Sequence, residues 1–520
     1  MKIYKLIISV RIWTDFNCAH HQRATKFEFR PTVSKRVEIV SRESNTCSEY
    51  AERRVRPRLR YRTLVGPESD IERSVRIAPT DALNISTALL SAVNRNDRAI
   101  VGLVMLGHAT VHTYELSIPV LVTVWLTEFG TTEAAIGAVV TVGYALFGLG
   151  AVPAGVLADR LGSHRLIVAC LVGMGAAFAL LGLTPSSPTL GLAVVGLALV
   201  LWGAAASIYH PSGLSLISTG VDERGTAFAY HGMAGNVGIA FGPLATLLLL
   251  EVLPWRTVTL LLAVPAAVGV ALALRVDVDE TAAAEMGDGT ASRSDGDAES
   301  RSDGGTAKTD AVDSVPEFVR GTRALFAGPF VAIFAIVILS GLFYRGFLTF
   351  LPDILGGFAA FEPIEVAGTR FAPDRYVYVA ILTVGIAGQY VGGKVTDRAP
   401  PAVGIAVAMT SMAVLAVAFL PAANAGLAAF LVVGALLGFF LFFVQPQYQA
   451  AVAEATPSGR RGLSYGFTYL GVFGVGALGG GIAGAILTWG SSWLLFAALA
   501  GVAVTAALVA VVALGTDFGA

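Results

Sequence analysis

Few ionisable residues interrupt the long apolar stretches of this sequence, and those few are the ones able to do chemistry. His108, His112 and Glu115 are spaced by four and then three, which puts all three on one face of a helix. An ionisable group at membrane depth is costly and faces a cavity or a partner. Imidazole titrates near neutral pH, so this face can carry a proton or meet a polar substrate. Plain polar packing between helices is the bland alternative. The His-x-x-x-His spacing also suits a metal, but a closed site wants four ligands, so no metal is expected.

Arg345, beside Tyr344, is a cation well inside another apolar stretch. Left uncompensated in hydrocarbon it costs at least about 3 kcal/mol. It is expected either to face a cavity and bind a carboxylate or phosphonate, or to snorkel or pair with Asp353. His210-Pro211 and Gln445-Pro446 put a proline next to a polar side chain in two further stretches. Proline frees a carbonyl and kinks a helix, so both positions are expected to open space for a ligand. Gln389, Gln447 and Tyr448 add hydrogen-bonding capacity nearby.

The elements that must hold these residues are apolar runs. Of 520 residues, 55% are hydrophobic and 14% charged, and the mean hydropathy is +0.68. Runs long enough to span a bilayer lie near 99–126, 135–157, 166–184, 189–213, 227–251 and 257–275. Six more lie near 328–353, 376–396, 402–421, 425–448, 463–487 and 492–514. They are rich in Gly and Ala, as closely packed membrane helices are. Residues 1–95 differ. Arg-rich and without a spanning run, they read as a basic, unfolded extension, and no cleavage signal follows the opening segment. Residues 276–325 join the two sets of six as an acidic, flexible linker without an apolar face. The remaining boundaries are 96–275 and 326–520. The three cysteines have neither metal nor disulfide spacing. No phosphate-binding loop and no nucleophile–base arrangement is present, so neither ATP hydrolysis nor another enzymatic reaction is expected. Nucleic acid is excluded as a partner because the basic arm lacks interleaved aromatics and a fold.

The two sets of six echo each other. Gly155-Val-Leu-Ala-Asp159-Arg160 returns as Gly393-Lys-Val-Thr-Asp397-Arg398, His210-Pro211 as Gln445-Pro446, and Arg224-Gly225 as Arg461-Gly462, at spacings of about 235–238 residues. Connections on one side hold Arg160, Arg165, Arg224, Arg275, Arg320, Arg323, Lys394, Arg398, Arg460 and Arg461. Those on the other hold Arg256, Arg370 and Arg375. The basic side is the cytoplasmic one, which puts both termini inside.

Gly155, Leu157, Ala158, Asp159, Arg160, Gly162 and Arg165 match the loop signature of the major facilitator superfamily, and residues 98–515 resemble that family as a whole. The carboxyl-half copy keeps Asp397 and Arg398 but not the basic tail. Tyr209 to Gly213 and His231 to Pro243 are similar to the fosmidomycin-resistance type of exporter. Gly238, Gly242 and Pro243 also resemble the fifth-span motif of drug/proton antiporters. The resemblance implies an all-α integral membrane protein of twelve transmembrane helices in two pseudo-symmetric six-helix bundles. It implies a secondary-active transporter of the plasma membrane, monomeric and without cofactor, working by alternating access. The expected activity is proton-coupled export of a small, anionic, drug-like molecule. The alternatives are an uptake permease for an organic anion or sugar, a non-transporting receptor, or an intramembrane enzyme. Gly155, Asp159, Arg160, Gly162, Arg165, Asp397 and Arg398 are the expected gate. His108, His112, Glu115, His210, Arg345 and Gln445 are the expected substrate and ion site.

Overall fold

In lipid an apolar stretch has no water for its backbone groups, so it closes them internally as a helix. The computed structural model describes residues 81–282, 315–358, 361, 364–366, 369–371, 373–456 and 461–515. The expected basic arm up to residue 80 and the middle of the expected linker, 283–314, lie outside the described residues. The described helices are α1 (Asp81–Phe129), α2 (Glu133–Leu149), α3 (Ala151–Leu161), α4 (Ser163–Gly182), α5 (Pro188–Ala206), α6 (Tyr209–Gly220), α7 (Arg224–Leu250) and α8 (Trp255–Ala273). There follow α9 (Val315–Phe326), α10 (Phe330–Leu348), α11 (Leu351–Gly356), α12 (Pro373–Thr396), α13 (Pro401–Ala425) and α14 (Leu427–Ala455). The last are α15 (Arg461–Tyr469), a π-helical turn (Leu470–Val475), α16 (Leu478–Trp489) and α17 (Ser492–Gly515).

Among the described residues, 11 helical stretches are long and apolar enough to cross a membrane. The first expected span lies in α1 and is not one of them, because His108, His112 and Glu115 dilute its apolar run. α1 starts at Asp81, so the composition boundary at residue 95 falls inside a continuous helix. A two-stranded antiparallel hairpin, β1 (Ile364–Val366) and β2 (Thr369–Phe371), joins α11 to α12.

The amino-half helices pack chiefly on one another, α1 on α7, α4 on α8 and α5, α2 on α5. The carboxyl half does the same with α12 on α14, α13 on α14 and α17, and α10 on α16 and α17. The halves meet where α2 lies along the π turn and α16, and where α7 meets α12. Exchanging the halves turns the first contact into the second, as a two-fold pseudo-symmetry requires. Glycines set the separation. A Cβ on Gly148 would collide with the backbone of Gly474, and one on Gly484 with the backbone of Glu133.

Prolines break some helices and not others. The fourth span breaks at Ser207–Ile208, just before Pro211, whose missing N–H leaves the preceding turn without a bond. The second span breaks at Gly150 before Pro153, and the seventh at Thr349–Phe350 before Pro352. The tenth does not break. α14 runs unbroken through Pro446, so of the two helices expected to be broken at matched prolines only the fourth span is interrupted.

Residues 276–282, the start of the expected linker, are bonded onto the amino half. Both Glu280 oxygens accept from the first amides of α4, Ser163 at 2.7 Å and His164 at 3.1 Å. Asn96 and Asp279 exchange hydrogen bonds of 2.8 and 3.0 Å. Gly162 permits this turn because its φ is +86°, in the left-handed region, and its open side lies against Glu280.

Candidate functional site

Close packing of α7 on α1 builds the site. Gly238 and Gly242 rest on the α1 backbone at Ala109 and Thr113, and Gly235 leaves room for the His108 ring. The fifth-span residues Gly238 and Gly242 thus act by close approach. Pro243 is buried within a continuous helix. His108 therefore stacks on His231, with ring centroids 3.8 Å apart. His210, delivered by the break before Pro211, lies 5.3 Å from His108 and 5.8 Å from His112, ring to ring.

A chain of hydrogen bonds leads from this cluster across the two halves. His108 Nδ1 donates to the His231 carbonyl at 2.7 Å. The Nε2 atoms of His108 and His112 are 3.0 Å apart. His112 Nδ1 lies 2.6 Å from Glu115 Oε2, and the other oxygen of Glu115 accepts from Arg345 Nη2. Tyr144 donates to the Glu115 carbonyl at 2.6 Å, and its ring lies 3.6 Å from the Arg345 guanidinium carbon. Glu115 is 0% and Arg345 2% exposed, so this is a fully buried ion pair between α1 and α10. Tyr378 of α12 adds a further bond between the halves, to the Leu116 carbonyl.

The protons in this chain can be counted. Three hydrogen bonds link the His231 carbonyl, His108, His112 and Glu115, and each needs one proton. A carbonyl and a carboxylate supply none, and two neutral imidazoles supply only two. With all three bonds filled at once, the chain would hold one proton more than neutral histidines beside a carboxylate.

Nitrogens of His108, His112 and His210 lie within 4.8 Å of one another, close enough to share an ion. Two of those residues are already committed to each other and to Glu115, whose second oxygen serves Arg345.

The structure brings together His108, His112, Glu115, His210 and Arg345. Arg345 pairs with Glu115 and not with Asp353. The contacts of the cluster do not include Gln445, which is half-buried on α14. Its neighbour Gln447 is the buried amide, donating to Gly392 of α12 at 2.8 Å. The spacing analysis missed Tyr144, His231 and Phe473, whose ring centre lies 5.7 Å from the Arg345 guanidinium. His231 stood in the quoted motif, but only helix packing makes its carbonyl an acceptor. Of the expected gate, Arg160, Arg165, Asp397 and Arg398 are exposed and Gly155 is half-buried. The side chain of Asp159 is outside what the structure describes. Glu280, unremarked in the sequence, is what grips the loop at Gly162.

The profile of the Major Facilitator Superfamily matches residues 103–480. The chain belongs to that superfamily. It is a multi-pass membrane protein and a secondary transporter of this fold. The puromycin resistance protein pur8 of Streptomyces alboniger is 38% identical over 105 residues, a match that spans 20% of each chain. Solved structures share the fold. A POT family transporter in complex with a thioalcohol-conjugated peptide superposes with TM-score 0.60 at 11% identity, over 81% of this chain and 96% of that one. A peptide transporter POT in complex with sulfate gives 0.59 at 14% identity, over 81% and 95%.

Proposed function

We propose that this transporter moves a small organic anion and couples its movement to a proton held by His108, His112 and Glu115. The observation that carries the reading is the buried, continuous chain of hydrogen-bonding contacts from the His231 carbonyl through His108, His112 and Glu115 to Arg345. Glu115 and Arg345 come from opposite halves, so their pair must part whenever the halves separate. Arg345 then needs another anion, and a substrate carboxylate or phosphonate fits the guanidinium fork. The displaced Glu115 becomes uncharged by taking the proton that lies between it and His112. When the proton leaves, Glu115 regains its charge, retakes Arg345 and ejects the substrate. The loop at Gly155, Asp159, Arg160, Gly162 and Arg165, with Asp397 and Arg398, serves as the gate. The protein works as a monomer in the plasma membrane with both termini cytoplasmic.

This charge pairing favours proton and anion moving together. Export in exchange for a proton is the second reading. It is favoured by the relative named a puromycin resistance protein and by the similarity of residues 209–243 to fosmidomycin-resistance exporters. Proteoliposomes with a pH dye inside and phenylphosphonate as probe separate the two. Internal acidification during probe entry supports co-movement, and alkalinisation supports exchange. Probe flux without proton movement would sink the coupling.

A further inference from the structure

The halves meet at the centre through rings. Phe147 of the amino half lies 4.7 Å from Phe473 of the carboxyl half, centroid to centroid. His210 lies 5.0 Å from Tyr469, and Tyr144 stacks under Arg345. Each of these contacts crosses from one half to the other, so opening breaks all of them. Phe473 sits in the π-helical turn Leu470–Val475. A π turn inserts one residue into the helical register, is rare, and is concentrated at functional sites. Here it turns Phe473 towards Phe147, His210 and Arg345 together. Amid these rings Arg345 Nε is buried with no hydrogen-bond partner. An unpaired buried donor is costly and is satisfied when an acceptor arrives.

We infer that the cargo is a planar aromatic anion. The inference rests on the anion site proposed above and adds the ring. The acidic group takes Arg345, including its free Nε, as Glu115 withdraws. The ring enters between Phe147 and Phe473, which need to part by only about 3.5 Å, one carbon–carbon contact. An aromatic guest restores the stacking that opening removes. A saturated guest of the same size fills the space without the ring–ring attraction, which prefers offset or edge-to-face geometry.

Naphthoate and decahydronaphthoate share a charge and nearly a shape, and differ in aromaticity. Calorimetric titration of the purified full-length protein should give naphthoate about a tenfold lower Kd, equivalent to about 1.4 kcal/mol. Phe473→Leu should bring the two acids to equal affinity and leave decahydronaphthoate unchanged. Phe473→Tyr should keep the preference. A merely structural role for Phe473 would weaken both acids alike and would overturn the assignment. Equal affinities in the native protein, with both acids lost in Arg345→Gln, would overturn the ring and leave the anion site standing. Binding of neither acid, or of naphthylmethylammonium in their place, would overturn the ring proposal and the anion site together.

Discussion

Glu115→Gln is the sharpest perturbation of the centre, because it removes one charge and almost no volume. Arg345 would then be buried at 2% exposure with no counter-charge. Removing one partner of a buried pair costs about 3–5 kcal/mol. The Tyr144 ring at 3.6 Å, with Tyr344 at 5.2 Å, still attracts the guanidinium, but it does so in the native protein too and offsets nothing. In an open state water reaches Arg345, so the cost falls on the closed state. Taking the lower figure of about 3 kcal/mol, the closed-to-open ratio should drop by a factor on the order of 100. Spin labels at the exposed positions Leu161 and Arg398, in a background without Cys18 and Cys47, report that ratio as a distance distribution. The double variant Glu115→Gln/Arg345→Gln carries no charge at the site and should return most of the closed population. The expected coupling between the two changes is therefore about 2–3 kcal/mol, well above the additivity of independent sites. A coupling below about 0.5 kcal/mol would show that the pair does not hold the halves together.

The other expectations address separate links. His112→Gln should abolish the dependence of probe flux on the pH gradient while leaving flux down the probe's own gradient; a retained dependence would move the proton elsewhere. Arg345→Lys keeps the charge but loses the fork, so affinity for an anionic probe should fall about tenfold, against near-complete loss in Arg345→Gln. Gly148→Val should prevent closure and raise the open population in the same distance measurement, because its side chain would collide with the Gly474 backbone. Deletion through Asn94 should leave insertion and flux intact, since Asn96, which ties α1 to Gly220 and Asp279, is retained; loss of insertion would show that the basic extension is needed.

The membrane character and the doubled architecture could be read directly from the sequence. Hydropathy is a local sum, and a repeat is visible without knowing where anything lies in space. The face shared by His108, His112 and Glu115 was equally local, because helical periodicity fixes it within one element. The loop signature from Gly155 to Arg165 carried the family for the same reason. Pairing was a different matter. Arg345 has Asp353 eight residues away and Glu115 230 residues away, and it is the distant one that it binds. That choice depends on α1 and α10 facing each other at one depth, which is set by glycines that let α2 and α16 approach and by the break before Pro352. The same holds for His231. Its side chain was in plain view, but its carbonyl became an acceptor only when Gly235, Gly238 and Gly242 brought α7 onto α1. The prolines show the limit from the other side. Pro211 and Pro446 look equivalent in the two repeats, yet one ends a helix and the other sits in an unbroken one. A proline removes one bond from either helix, and the packing around it decides whether the helix parts there.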